Sequence, residues 1–500
     1  MTHRVDRDKR FRALVELEPT TLAAALAGDN GQLAVVTDQA GRHLYVREGG
    51  SLVPAIEERL RAVTQSDIYM RVDGSGGTTP PAGTRVVNQD EYDALGYDLL
   101  SIQDALDIIP PGVAHLVYIS VAAGRYPGNA PYFGYTASFV VPGFIDFGGY
   151  LYIQGESKTT IEVAQAGTVT DSKHIQRSAG TWTVDEHKGK LAEIKTGVGA
   201  GKVCPIAGNT ADTLFVAQNL TTGACTFEIN EPAAILEPGN AIGFSVSTTL
   251  FFYLDNLTFG DTTDPYQTIL LYGSANLQGC SGYFAAYGWI YVYGTGLNST
   301  MWYCSFEFTR GQINVLDTGS YLTIGATYIY GDPTETGTDI PGLLVIGEDS
   351  RVRTHYPIFE VTDGSATDPI IYSLGSYVNM RHNDTYIIGN GLCTGIYAEH
   401  GVTVFAQQAT AELYIENCGT AVEAAKGAEI QLELLGTPST SNVNGFVISG
   451  GARVTAVDPQ NVTASGNELD LDSDTTATYS DLSVGDTITG PGGSSIRRTS

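Results

Sequence analysis

Gly319-Ser-Tyr-Leu-Thr-Ile324, Asp349-Ser-Arg-Val-Arg-Thr354, Gly375-Ser-Tyr-Val-Asn-Met380, Gly401-Val-Thr-Val-Phe-Ala406, Gly427-Ala-Glu-Ile-Gln-Leu432 and Gly451-Ala-Arg-Val-Thr-Ala456 are six versions of one phrase. A turn residue opens each copy, and the third and fifth residues after it are mostly apolar. In an extended strand those positions share one face, while Tyr321, Arg351, Arg353, Tyr377, Glu429 and Arg453 share the other. The copies recur at about 24 to 30 residues, the length of one coil of a parallel β-solenoid. One such unit cannot bury its apolar face alone, but stacked units make a continuous core. The expected fold is therefore all-β, an elongated parallel β-helix.

Composition agrees with a turn-rich β protein: 59 Gly and 28 Tyr, with only 16% charged residues in 500. The net charge is −28, yet residues 1–63 carry nine basic and nine acidic residues, so the excess acidity lies in the body. An acidic body repels phosphate backbones, which argues against nucleic acid as a partner. No apolar run is long enough to span a membrane. The opening Met1-Thr-His-Arg-Val-Asp-Arg-Asp-Lys-Arg-Phe-Arg12 lacks the apolar stretch of a signal peptide, so synthesis in a cytoplasm without export is expected. Cys280 and Cys304, like Cys393 and Cys418, are one coil apart and are expected to stack as buried thiols, with disulfides between neighbouring coils left open; Cys204 and Cys225 are 21 residues apart. No Cys-Xaa-Xaa-Cys occurs, and neither a metal nor a cofactor is expected.

Six segments follow. Residues 1–72 read as an N-terminal module, with a hairpin from Gly31–Asp38 to His43–Arg47 and a short helix over Pro54–Val63. Residues 73–97, opening with Asp73-Gly-Ser-Gly-Gly-Thr-Thr-Pro-Pro, read as a linker. Residues 98–164 start the solenoid, with a helix over Ser101–Pro110 whose Ser101/Asp104 pair forms a capping box and whose apolar face would close the core. Residues 165–235 break the coil rhythm and read as an inserted β module, its Gly-rich Thr196–Lys202 stretch a tight turn. Residues 236–460 form the body. Residues 461–500 lack the repeat and read as a cap or tail, including an acidic turn at Asp470–Asp474 and a mobile Gly490-Pro-Gly-Gly-Ser-Ser.

The run from Ser101 through His115-Leu-Val-Tyr-Ile-Ser-Val-Ala-Ala-Gly-Arg-Tyr126, with Leu151-Tyr-Ile-Gln-Gly155, Thr159-Thr-Ile161 and Tyr253-Leu-Asp-Asn-Leu-Thr-Phe259, resembles the pectin-lyase-like right-handed parallel β-helix superfamily. The segment from Gly31 to Val46 resembles one found near the N-termini of bacteriophage tail and fibre proteins, and the inserted module resembles one of phage structural proteins. Together these resemblances imply a phage tailspike or fibre. Such a virion protein would be a homotrimer that attaches to other virion proteins through residues 1–72 and meets host-surface polysaccharide with its solenoid. Two other readings stay open: a polysaccharide depolymerase and a head-decorating spike.

The superfamily also contains esterases, but their catalytic aspartates have no counterpart at Ala286–Ile290 or Gln312–Leu316, so esterase activity is not implied. A glycosidase requires two facing carboxylates, and Glu307, Asp255 and Asp317 on neighbouring coils are the candidates. Gly288-Trp-Ile-Tyr-Val-Tyr293 turns Trp289, Tyr291 and Tyr293 to one side, with Gln312 and Asn314 one coil on. Aromatic faces stack on sugar rings and amides read hydroxyls, so this set is expected either to bind saccharide or to form a subunit interface.

Overall fold

The computed structural model describes residues 63–128, 130–132, 135–237, 242–246, 250–261, 266–271, 274–293, 298–316, 319–333, 342–380, 384–400, 403–406 and 413–432. Outside these it describes strands at 19–20, 33–38, 41–48, 51–54, 444–448, 453–456, 469–473, 487–489 and 495–498.

The turn phrase builds the solenoid as its period requires. Gly319, Asp349 and Gly375 take left-handed backbone conformations, and the Gly319 and Asp349 N–H groups donate to the carbonyls of Asp349 and Gly375 one coil on. In the two following coils the left-handed residues are His400 and the pair Lys426 and Gly427. Leu322, Ile324, Val352, Thr354, Val378, Met380 and Ile430 are buried, as their phase dictates.

The next strand in each coil continues a parallel ladder. Tyr321–Gly325 pairs with Arg351–His355, and that strand with Tyr377–Asn379. This first face is one sheet of 14 strands. A single left-handed residue then turns the chain onto the second face: Asn256, Gly279, Tyr303, Ala326 and Tyr356 occupy that corner in successive coils. The Asn256, Gly279, Tyr303 and Ala326 N–H groups each donate to the coil above. The long strand Ser305–Val315 shows how the second face becomes the third. Its first part pairs with Tyr328–Gly331 and its last part with Leu344–Ile346.

The interior is filled by aliphatic ladders and by Phe259, Phe284, Phe306 and Phe308, all essentially inaccessible. Phe284 stacks on Phe308 at 4.7 Å. Burying each such ring contributes about 1.5–3 kcal/mol. All six cysteines are buried free thiols.

The N-terminal end of the core is closed by more than the expected helix. Ile102–Asp107 has the Ser101/Asp104 capping box and buries Ile102, Ala105 and Leu106 in the solenoid core. The segment read as a linker over 73–97 is part of the same closure. It contains the helix Gln89–Leu95, and its side chains occupy the open edge of strand Ile68–Val72. Gln89 accepts from the Tyr69 N–H and donates to the Tyr69 carbonyl, Tyr92 accepts from the Arg71 N–H at 2.8 Å, and Leu99 N–H donates to Arg71. An uncovered edge would offer those groups to other chains. Arg71 then ties the closure to the first coils through Asp73, Asp98 and Glu156.

Three boundaries therefore move. Ile68–Val72 pairs in parallel with Leu116–Val121 and belongs to the solenoid, not to the N-terminal module. Pro19–Thr20, Leu33–Asp38, Gly41–Glu48 and Ser51–Pro54 form a separate four-stranded sheet that includes the expected hairpin. Of the helix read over Pro54–Val63, Pro54 ends a strand, Val63 bridges to Gly112, and 55–62 lie outside the described residues. At the other end, Leu469–Ser473 pairs with Asn444–Ile448 and Ser495–Arg498 with Arg453–Ala456, so parallel pairing passes residue 460. The acidic residues suggest a turn, but Leu469-Asp-Leu-Asp-Ser keeps the period of two of a strand. Of Gly490–Ser495, read as mobile, Ser495 opens the strand Ser495–Arg498 and 490–494 lie outside the described residues.

The insert is a closed six-stranded barrel from Lys158–Val169 to Gly223–Pro232, starting seven residues before the expected 165. Its ends pair at Lys158 and Pro232, so the barrel enters and leaves the solenoid at one place. The Gly-rich stretch is the turn of the hairpin Leu191–Gly197 and Val203–Asn209, with Gly197, Gly199 and Gly201 left-handed. The barrel has its own core around Trp182, Ile194, Ile206 and Phe227. Ala207 and Ala217 pack on Tyr328, Tyr330 and Ile358 of the second face.

Candidate functional site

The expected aromatic row lies on the third face. Trp289 and Tyr291 are 5.7 Å apart and Tyr291 stacks on Tyr293 at 5.3 Å, all half-buried. Gln312 and Asn314 pair in register with Trp289 and Tyr291, as expected, but they are only 3% and 2% exposed. The Gln312 amide donates to Asn314 at 2.8 Å. Enclosed and bonded to each other, these amides do not present a reading edge beside the row, and this part of the expected platform is corrected.

Of the three candidate carboxylates, Asp255 and Glu307 do not converge. Asp255 ends the first-face strand Phe251–Asp255, whereas Glu307 lies around the corner on the second face and accepts from Tyr330 at 2.8 Å. Asp317 is outside the described residues. Sequence spacing placed the two on nearby coils, but the left-handed corner at Asn256 and Tyr303 turns them onto different faces.

A second aromatic array, missed in the sequence, runs up the first face. Tyr69, Tyr118, Tyr152 and Tyr253 pair in register on four successive strands. Their ring centroids are 6.0, 5.5 and 5.1 Å apart, the latter two pairs stacked. Tyr69 is 47% exposed and the others are half-buried. The signal was present as Ile-Tyr-Met, Val-Tyr-Ile, Leu-Tyr-Ile and Phe-Tyr-Leu, each with Tyr at the outward phase.

This column borders a cleft of about 480 Å³ between the solenoid and the barrel. Gln154, Asp255, Asn256 and Gln278 line the solenoid wall; Glu193, Lys195, Glu228 and Asn230 line the barrel wall. The barrel wall is an ion network, with Glu193 held by Lys158 and Lys195, each at 2.9 Å, and Lys195 also near Glu228 at 3.3 Å. Burial works against Glu193 ionisation, but the two lysines keep its carboxyl below the usual range. Asp255 is different. It accepts from Tyr152 at 2.9 Å and Gln154 at 2.6 Å, yet burial pushes its carboxyl above the usual range despite those bonds and the Lys158 charge. Tyr118 in turn donates to Gln154, linking the column to the cleft. Such a site offers a line of ring edges and, beside it, hydrogen-bond acceptors.

Among the described residues no three His, Cys, Asp or Glu side chains gather as a metal site, and no helix is long and apolar enough to cross a membrane. No protein-family model matches the chain. No curated protein matches it. Among solved structures it is similar to the gp54 tailspike of Acinetobacter baumannii bacteriophage AP22, in complex with a capsular saccharide. That match has 11% identity and a TM-score of 0.18, over 68% of this chain and 59% of that one. It is also similar to the tailspike protein gp49 of Pseudomonas phage LKA1, with 10% identity and a TM-score of 0.20 over 77% of this chain and 67% of that one. The chain thus spans less than two thirds of the AP22 protein.

Proposed function

We propose that this chain is a bacteriophage tailspike or fibre protein of the virion that attaches to a host-surface polysaccharide. The observation that carries the reading is the outward tyrosine column on a parallel solenoid, ending at a polar cleft. A line of rings stacked on one another across four coils forms a ribbon of ring edges at a regular step of about 4.8 Å, and such a ribbon suits the apolar patches of a repeating chain of sugars. The proposed ligand is of the class bound by the AP22 tailspike. The separate N-terminal sheet, with its phage-fibre-like hairpin, supports attachment to other virion proteins through the segment ahead of the solenoid. Exposed Ile145, Phe147 and Tyr150 support self-association, here as a homotrimer.

Surface polysaccharides from a panel of bacterial hosts, immobilised and probed with the full chain, test the reading. Saturable binding to one of them, abolished by competing soluble polymer, is expected. Binding to none would overturn attachment. Sedimentation equilibrium at three times the chain mass checks the trimer.

One observation favours a second reading, polysaccharide cleavage: the Asp255 carboxyl, raised by burial, lies in the same cleft as Glu193 and Glu228. A bound polymer that is shortened on incubation, and is not shortened by the Asp255→Asn variant, would establish it.

A further inference from the structure

Two orphan acceptors single out the cleft. Asn256 is 6% exposed and donates its amide to the Gly155 and Ser157 carbonyls, but its Oδ1 has no partner. Across the cleft Asn230 is 2% exposed, with its amide toward Glu193 at 3.5 Å and its Oδ1 likewise unpartnered. A buried acceptor without a donor is destabilising, and a hydrogen-bond donor in the cleft would remove that cost at both. Between them Asp255 offers a carboxylate whose protein partners are both donors, Tyr152 and Gln154. The two lysines on the walls are already engaged by Glu193 and Glu228. Among the described residues the cleft's lysines are thus already paired, and two of its acceptors, Asn256 Oδ1 and Asn230 Oδ1, await donors.

We propose that this cleft is a saccharide subsite that takes a neutral hexose unit through its hydroxyl groups and rejects a uronate. The rest of the chain then continues along the rod over Tyr152, Tyr118 and Tyr69. The inference rests on the attachment reading and adds the sugar class and the direction of the bound chain. Hydroxyls donate to Asp255, Asn256 and Asn230, whereas a sugar carboxylate would be placed against Asp255, Glu193 and Glu228 in a half-enclosed site, where like charges are poorly screened. The Trp289 row is on another face and is not part of this subsite.

The test is an array of bacterial surface polysaccharides, neutral and uronate-bearing, probed with the wild-type chain and with Asp255→Ala, Asp255→Asn, Tyr118→Ala and Trp289→Ala, each checked for native circular dichroism. The expected result is binding to a neutral polymer, weakened about tenfold or more by Tyr118→Ala, which removes a ring from the middle of the ribbon, and by Asp255→Ala. Trp289→Ala should bind as wild type. Asp255→Asn, which keeps an acceptor but loses the charge, should retain the neutral polymer and gain tolerance of uronates. Preference for a uronate polymer overturns the inference, as does undiminished binding by Asp255→Ala and Tyr118→Ala with loss in Trp289→Ala; attachment stands in both cases. Binding to nothing on the array overturns attachment itself. Calcium titration supplies a separate check: a rise in Tm on adding calcium that Asp255→Asn abolishes would make the acceptors a cation site and overturn the sugar assignment.

Discussion

Gly331 and Ala326 sit five residues apart and make opposite demands on the backbone. Gly331 has φ 144°, and a Cβ there would lie 2.0 Å from the Phe308 carbonyl of the coil below. Gly331→Ala must push two coils apart, and a loss of more than about 2 kcal/mol is expected in urea unfolding. Ala326 occupies the corner with φ 45°, where an L side chain costs about 1 kcal/mol. Ala326→Gly is expected to raise the unfolding midpoint, and a fall would show that the methyl group packs better than it strains. Asp255 carries a different cost. Its carboxyl is raised above the ordinary 3.8, so the folded state holds the proton more tightly than the unfolded chain. The penalty is full above the raised value and vanishes below about pH 3.8. Asp255→Asn should therefore unfold at a higher temperature than wild type at pH 7, with the difference closing as pH falls toward 3.8.

At the scale of elements, the barrel and the solenoid are two cores joined by one docking surface. Lys173 reaches from the barrel between Tyr356 and Tyr386 of the solenoid, 5.1 and 5.0 Å from the ring centres, with no hydrogen-bond partner for its Nζ. Burial outweighs the nearby Asp384 charge and pushes its ammonium down to about 8 from 10.5. A depressed lysine costs stability while protonated, so Lys173→Met should stabilise the chain at pH 7. The gain should fade as pH climbs from about 8 past 10.5, and thermal unfolding across that range reads it. Because the barrel closes on itself and its ends pair at Lys158 and Pro232, residues 157–233 excised as a fragment are expected to give a β-sheet circular dichroism spectrum and a cooperative melt. A fragment without a cooperative transition would mean that Tyr328, Tyr330 and Ile358 complete its core.

On the scale of the molecule, a solenoid is held by contacts between neighbouring coils, so protection should depend on position along the rod. Coils flanked by a coil on either side and holding aromatic cores, over 252–361, should exchange their amides slowest. Strand 68–72, whose outer edge is held among the described residues by Gln89, Tyr92 and Leu99, should exchange faster, and faster still in Gln89→Ala. Uniform exchange along the chain would show instead that the rod unfolds as one unit.

The repeat phrase was sufficient for the solenoid because its period of two and its turn residues are local, and stacking follows wherever such units recur. The capping box at Ser101 and the glycine turn near residue 199 were legible for the same reason: each is decided within a few residues. What surrounds the site was not. The role of Gln89 as a substitute strand edge, the alignment of Tyr69, Tyr118, Tyr152 and Tyr253, and the separation of Asp255 from Glu307 all depend on which residues come into register across coils of unequal length. The barrel interrupts the chain for 75 residues between Lys158 and Pro232, and no periodicity within it says which wall it will face. Only the tertiary structure sets that register and brings the acceptors of two separate cores to one cleft.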